Sequence, residues 1–295
     1  MYDNILAGEI SISVITDAVA PEITSVTDRN VLSSGEWTTQ KEITVNGTSK
    51  LNSIVYVSMY YPDGKAVYEN QACTVINDSY SYKAIYNIEA KEPTTFKVKV
   101  TDDYGNISES NITLSKVDSE APTMVSPKEY IGEWSKYKDI KIETIDNGVG
   151  EVQIGFNAVA DYQVAQKEGE NYIRNYRIVG DIYEDFIGAI YLKDGLGNIR
   201  TEKVTIGKVD GTSPTITNIL QEGLKIKVEA NDQNTKLGKE GSGVAGYAYS
   251  VRNEVPSDKK FQSGNELTLP KEGTYYIWVK DNAGNLSEVR SVKVK

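Results

Sequence analysis

The chain has 295 residues, with 32 basic against 42 acidic side chains for a net charge of −10, no histidine, and one cysteine, Cys73. Without imidazole there is no Ser-His-Asp or Cys-His catalysis and no histidine metal site; a single thiol makes no intrachain disulfide and no CxxC redox pair. The acidic balance, with no Lys/Arg-rich tract, argues against a phosphate-tracking nucleic-acid groove and against attraction to an anionic bilayer.

From the start of the chain, residues 1–20 lack the basic start and apolar block of a secretory signal. No uncharged apolar run is long enough to span a membrane. Ser11–Ile15 followed by Asp17 reads as the last strand and linker of a preceding repeat, so residues 1–17 are expected to be its remnant. The alternative is an N-terminal extension that adds one strand to the first sandwich. In residues 18–117 strands are expected at Glu42–Asn46, Ile54–Tyr60 and Tyr80–Ile88, with a turn at Tyr61-Pro62-Asp63-Gly64 and Cys73 as a small buried strand residue. In residues 118–209 they are expected at Lys138–Thr144, Glu151–Asn157 and Tyr172–Ile178. In residues 210–295 they are expected at Leu224–Ala230, Val244–Ser250 and Gly273–Lys280.

These three blocks are defined by repeats. Asp102-Asp103-Tyr104-Gly105-Asn106, Asp194-Gly195-Leu196-Gly197-Asn198 and Asp281-Asn282-Ala283-Gly284-Asn285 each read Asp-x-x-Gly-Asn, with their glycines 92 and 87 residues apart. An aspartate four residues before a proline recurs at Asp17, Asp118 and Asp210, twice behind a shared Lys-Val lead-in. Asp-x-x-Gly-Asn is a hairpin turn: glycine supplies positive φ, asparagine tolerates it, and aspartate accepts backbone N–H bonds. Before each turn, alternate residues (Phe96, Val98, Val100; Gly188, Ile190, Leu192; Tyr275, Ile277, Val279) form a core face. Short strands in units of about 90–100 residues, with no helical stripe, predict an all-β chain of three tandem antiparallel sandwiches forming an elongated rod.

This pattern resembles the bacterial immunoglobulin-like repeats of surface-exposed proteins. Ile43-Thr44-Val45-Asn46-Gly47-Thr48 is similar to a second-strand motif of one such subfamily, Gly241-Ser242-Gly243-Val244 to the loop before the third strand, and Gly273 to Asn285 to the sixth strand and its hairpin. The second block departs from the family at Asn147-Gly148-Val149-Gly150. The resemblance covers about residues 18–295 and implies a bacterial cell-surface setting, with neighbouring repeats of a longer chain as partners.

In an immunoglobulin topology the linker aspartate and two loops share one pole. That gathers Asp118, Glu120, Asp146 and Asp194 at the second block, Asp210, Asp232 and Asp281 at the third, and Asp17 with Asp102 or Asp103 at the first. Such sets either hold calcium, which takes six to eight oxygens, or simply close their own turns by hydrogen bonds. Trp278 and Tyr191 are expected to point outward at equivalent places, and the tyrosine-rich first block is the candidate host of an exposed aromatic cluster for carbohydrate or a host protein. Trp37 and Trp134 read as anchors at the core edge. No carboxylate pair stands in an unusual setting, so no enzyme is expected. The reading is a non-catalytic stalk or spacer of an adhesin-like protein; a glycan- or host-protein-binding module and a phage tail or decoration protein are the alternatives.

Overall fold

A computed structural model describes residues 18–50, 53–158 and 161–295. The expected strand at Ser11–Ile15 and the linker residue Asp17 lie outside the described residues. Among the described residues there is no α-helix, and a short 3-10 turn lies at Asp258–Lys260. No helix among the described residues is long and apolar enough to cross a membrane. The chain divides into two compact units. One comprises residues 1–120 with 148–150 and 195–198, and the other holds the remainder.

In the first unit, Lys41–Thr48 pairs with Glu22–Asn30 on one side and Ser79–Tyr86 on the other. A second sheet runs in the order Ala66–Thr74, Ile54–Tyr60, Thr94–Asp102, Ile107–Leu114. Every pairing is antiparallel. Period-two alternation sends Ile43 and Val45 of the first sheet, and Val55, Val57, Phe96, Val98 and Val100 of the second, into one core where all are fully buried. Cys73 sits on the edge strand and is half-buried, not buried as expected, because its strand pairs on one side only. The tyrosines do not form an exposed patch. Tyr68 and Tyr80 are buried, and Tyr61, Tyr82 and Tyr86 pack against the core.

The second unit contains two further cores. Around the first, Tyr137–Ile145 and Asn171–Val179 anchor one sheet, while Gln153–Phe156, Phe186–Lys193 and Ile199–Ile206 anchor the other. Around the second, Thr215–Glu222, Lys225–Asn231 and Glu266–Thr268 face Val244–Ser250, Gly273–Asp281 and Arg290–Val294. Ile190, Leu192, Ile277 and Val279 are fully buried, on the face the alternation predicts. Facing sheets of three to five strands, antiparallel but for the short edge strand Glu129–Tyr130, surround separate cores and make this chain a series of tandem immunoglobulin-like β-sandwiches.

Candidate functional site

The first and third Asp-x-x-Gly-Asn hairpins are built alike. At the first, one Asp102 carboxylate oxygen accepts the N–H groups of Tyr104 and Asn106, both at 2.9 Å, and the other accepts the Asn106 amide. Gly105, Gly197 and Gly284 have φ of 86°, 93° and 89°, where an L side chain would be strained. The asparagines do not share that conformation: Asn106, Asn198 and Asn285 are absent from the positive-φ residues. Their amides reach backward instead. Asn198 donates to the Asp118 carbonyl at 3.0 Å, and Asn285 donates to the carbonyls of Asp210 and Thr212 at 2.8 and 3.0 Å. Asparagine therefore fastens the second and third hairpins to their linkers, a role that tolerance of positive φ did not suggest.

The linkers are equally regular. Val117 bridges Ala90 and Thr38, and Val209 bridges Ile182 and Ser135, with the same directions. The lysines that precede them, Lys116 and Lys208, have φ of 57° and 54°. The shared Lys-Val-Asp lead-in carried that signal. The aspartates that follow, Asp118 and Asp210, are fully buried. The Asp118 carboxylate accepts the N–H of Glu120 and of Val149, both at 3.3 Å; that of Asp210 accepts the N–H of Thr212 at 3.0 Å and of Ser242 at 2.6 Å.

At Asp210 the structure brings together the whole set read from sequence for the third block. Asp210, Asp232 and Asp281 are all buried and present carboxylate oxygens within 4.8 Å of one another. Most of these oxygens are turn acceptors. Asp232 Oδ2 accepts from the Gly243 N–H at 2.7 Å, and the two Asp281 oxygens accept from the Asn285 N–H and amide at 2.7 and 2.8 Å. Asp232 Oδ1, though buried, accepts no hydrogen bond. Gly241 lines the same space: a Cβ there would stand 2.7 Å from an Asp232 oxygen and 2.8 Å from an Asp210 oxygen. None of the ion pairs among the described residues involves Asp210, Asp232 or Asp281. Burial, reinforced by the Asp210 and Asp281 charges, raises the Asp232 carboxyl from its ordinary 3.8 to about 6. Burial likewise raises Asp281, with Asp210 adding to it. Three buried carboxylates with no counter-charge favour a proton or a cation among them.

The other candidates are distributed differently. Asp118 and Glu120 belong to the first unit, Asp146 and Asp194 to the second. In the first unit Lys91 Nζ lies 3.1 Å from Glu89, 3.6 Å from Asp118 and 3.8 Å from Glu120, a counter-ion the sequence reading missed. Trp278 and Tyr191 are half-buried, and the Trp278 indole nitrogen is enclosed, so neither forms an open platform. Trp37 is half-buried, and Trp134 packs against Tyr183 with ring centroids 6.1 Å apart.

No protein-family model matches the chain, and no curated protein matches it. Solved structures similar to it include the I67–I69 fragment of the titin I-band (10% identity, TM-score 0.35, 94% of this chain and 99% of that one). A tetra-tandem repeat from the extending region of a large adhesion protein is also similar (14%, TM-score 0.28, 95% and 75%). So is a Bacteroides ovatus glucan-utilisation protein, SGBP-B, in complex with a mixed-linkage heptasaccharide (14%, TM-score 0.24, 95% and 71%).

Proposed function

We propose that this chain is a non-catalytic spacer segment of a bacterial surface-displayed, adhesin-like repeat protein, and that calcium bound by Asp210, Asp232 and Asp281 stiffens the linker into its last sandwich. The observation that carries this reading is the buried carboxylate triad with an orphaned oxygen and no ammonium beside it. Its donors are all hard oxygens, the set calcium prefers, and the glycine at 241 leaves the space between them open. When bound, the ion would supply positive charge that relieves carboxylate repulsion. The residues themselves do the positioning, since each acid is held by N–H groups of the loops it must join.

The distinctive residues elsewhere serve turns and linkers, which supports a structural role. The aromatic surface that a carbohydrate- or host-protein-binding module would need is largely spent on the cores. Calorimetric unfolding of the full chain in EDTA and in millimolar calcium tests the reading. A higher melting temperature in calcium, lost in Asp232→Asn, is expected; superimposable traces would overturn it.

A further inference from the structure

Residues 91 and 183 stand at equivalent places and meet the same electrostatic problem in opposite ways. The bridges Ala90–Val117 and Ile182–Val209 superimpose the two linkers residue for residue, so Glu89 corresponds to Asp181, Lys91 to Tyr183, and Asp118 to Asp210. The neighbouring bonds keep the register. The Ser119 N–H donates to Glu89 at 3.0 Å, and the Gly211 N–H donates to Asp181 at 2.9 Å. Lys91 Nζ faces Asp118 Oδ1, and the Tyr183 hydroxyl faces Asp210 Oδ1 at 3.5 Å. Lysine and tyrosine reach similar distances from the backbone, but only one brings a charge.

We propose that this position decides how each buried linker aspartate is neutralised: Lys91 is a tethered counter-ion for Asp118, and Tyr183 leaves Asp210 and its partner carboxylates to a free divalent cation. The assignment rests on the calcium reading of the triad given above. A lysine ammonium offers three donors, and Lys91 directs them to Glu89, Asp118 and Glu120. A buried carboxylate so paired has little to gain from a metal ion. The Asp210 cluster has a buried carboxylate oxygen that accepts no hydrogen bond and a neutral phenol where the lysine would be. The two linkers then differ in their response to calcium although their backbones match.

Calcium chloride titrated calorimetrically into the EDTA-treated, desalted full chain reads this directly, with melting in EDTA confirming that each variant folds. Tyr183→Lys is expected to weaken calcium uptake by about tenfold or more, by placing an ammonium against Asp210. Tyr183→Phe, which keeps the ring and adds no charge, should bind as the wild type does. Lys91→Met is expected to gain calcium uptake, because it frees the Asp118 carboxylate. Loss of uptake in Asp232→Asn but undiminished uptake in Tyr183→Lys would overturn the assignment and leave the calcium reading standing. No gain in a folded Lys91→Met would also overturn it. No uptake by the wild type would overturn both.

Discussion

The Asn285 side chain donates to the backbone carbonyl of Asp210, 75 residues earlier, at 2.8 Å, while also holding the Asp281 carboxylate at 2.8 Å. One amide thus joins the last hairpin to the linker and steadies two of the three clustered acids. A third bond runs to the Thr212 carbonyl, and Asn285 is buried. Asn285→Ala should therefore cost about 2–4 kcal/mol, since buried acceptors would be left without partners. Chemical denaturation of the full chain measures this; a change below about 0.5 kcal/mol would mean that the linker is held by other contacts.

A second position where packing dominates is Gly47. A Cβ there would stand 2.0 Å from the Glu22 carbonyl oxygen and 2.2 Å from the Tyr80 hydroxyl. Those two atoms bond to each other at 2.9 Å, so the glycine makes room for a tyrosine that crosses the sheet to reach the first strand. Gly47→Ala is expected to destabilise by about 1–3 kcal/mol, because backbone must move. Gly47→Ala combined with Tyr80→Phe should recover part of the loss. Equal stability of Gly47→Ala and wild type would show that the strand relaxes freely.

What could be read from the sequence follows from the range of the forces involved. Strand faces were legible because alternation is local: Phe96, Val98 and Val100 alternate with Lys97, Lys99 and Thr101, and the former are fully buried. The glycines of the hairpins were legible because positive φ has a strong residue preference. Linker aspartates were legible through repetition, and the third block's acids do converge. Lys91 was not legible, since nothing in its local pattern places it beside Asp118, 27 residues on; only the bridge between Ala90 and Val117 does that. The tyrosines misled for a related reason. An amphipathic ring can line a core edge or face water, and Tyr82 and Tyr86 settle against the core with Tyr86 stacked on Tyr68 at 4.3 Å.

The triad also has a pH signature in the absence of metal. Asp232 is raised by burial to about 6, so the folded chain keeps a proton there that the unfolded chain has released. Its contribution to stability is accordingly greatest below about pH 4 and declines as pH rises to about 6, then stays level. In EDTA, wild-type stability measured relative to Asp232→Asn should fall across that window. Calcium should remove the decline, because the cation binds the ionised form. A difference that is flat from pH 4 to 7 in EDTA would mean that Asp232 is ionised throughout.

Space and charge at the triad can be separated at Gly241. Gly241→Ala adds one methyl carbon and no charge, and its φ lies outside the positive region, so the backbone tolerates the side chain. The new carbon would meet oxygens of both Asp232 and Asp210 at under 3 Å, closing the space between the acids. Those carboxylates must turn away, and each then loses its bond to the Ser242 or Gly243 N–H. The expected result is a chain that folds, melts somewhat lower in EDTA, and no longer gains stability from calcium. A calcium-dependent rise equal to that of the wild type would show that the ion sits elsewhere on the three carboxylates, away from the side that Gly241 lines.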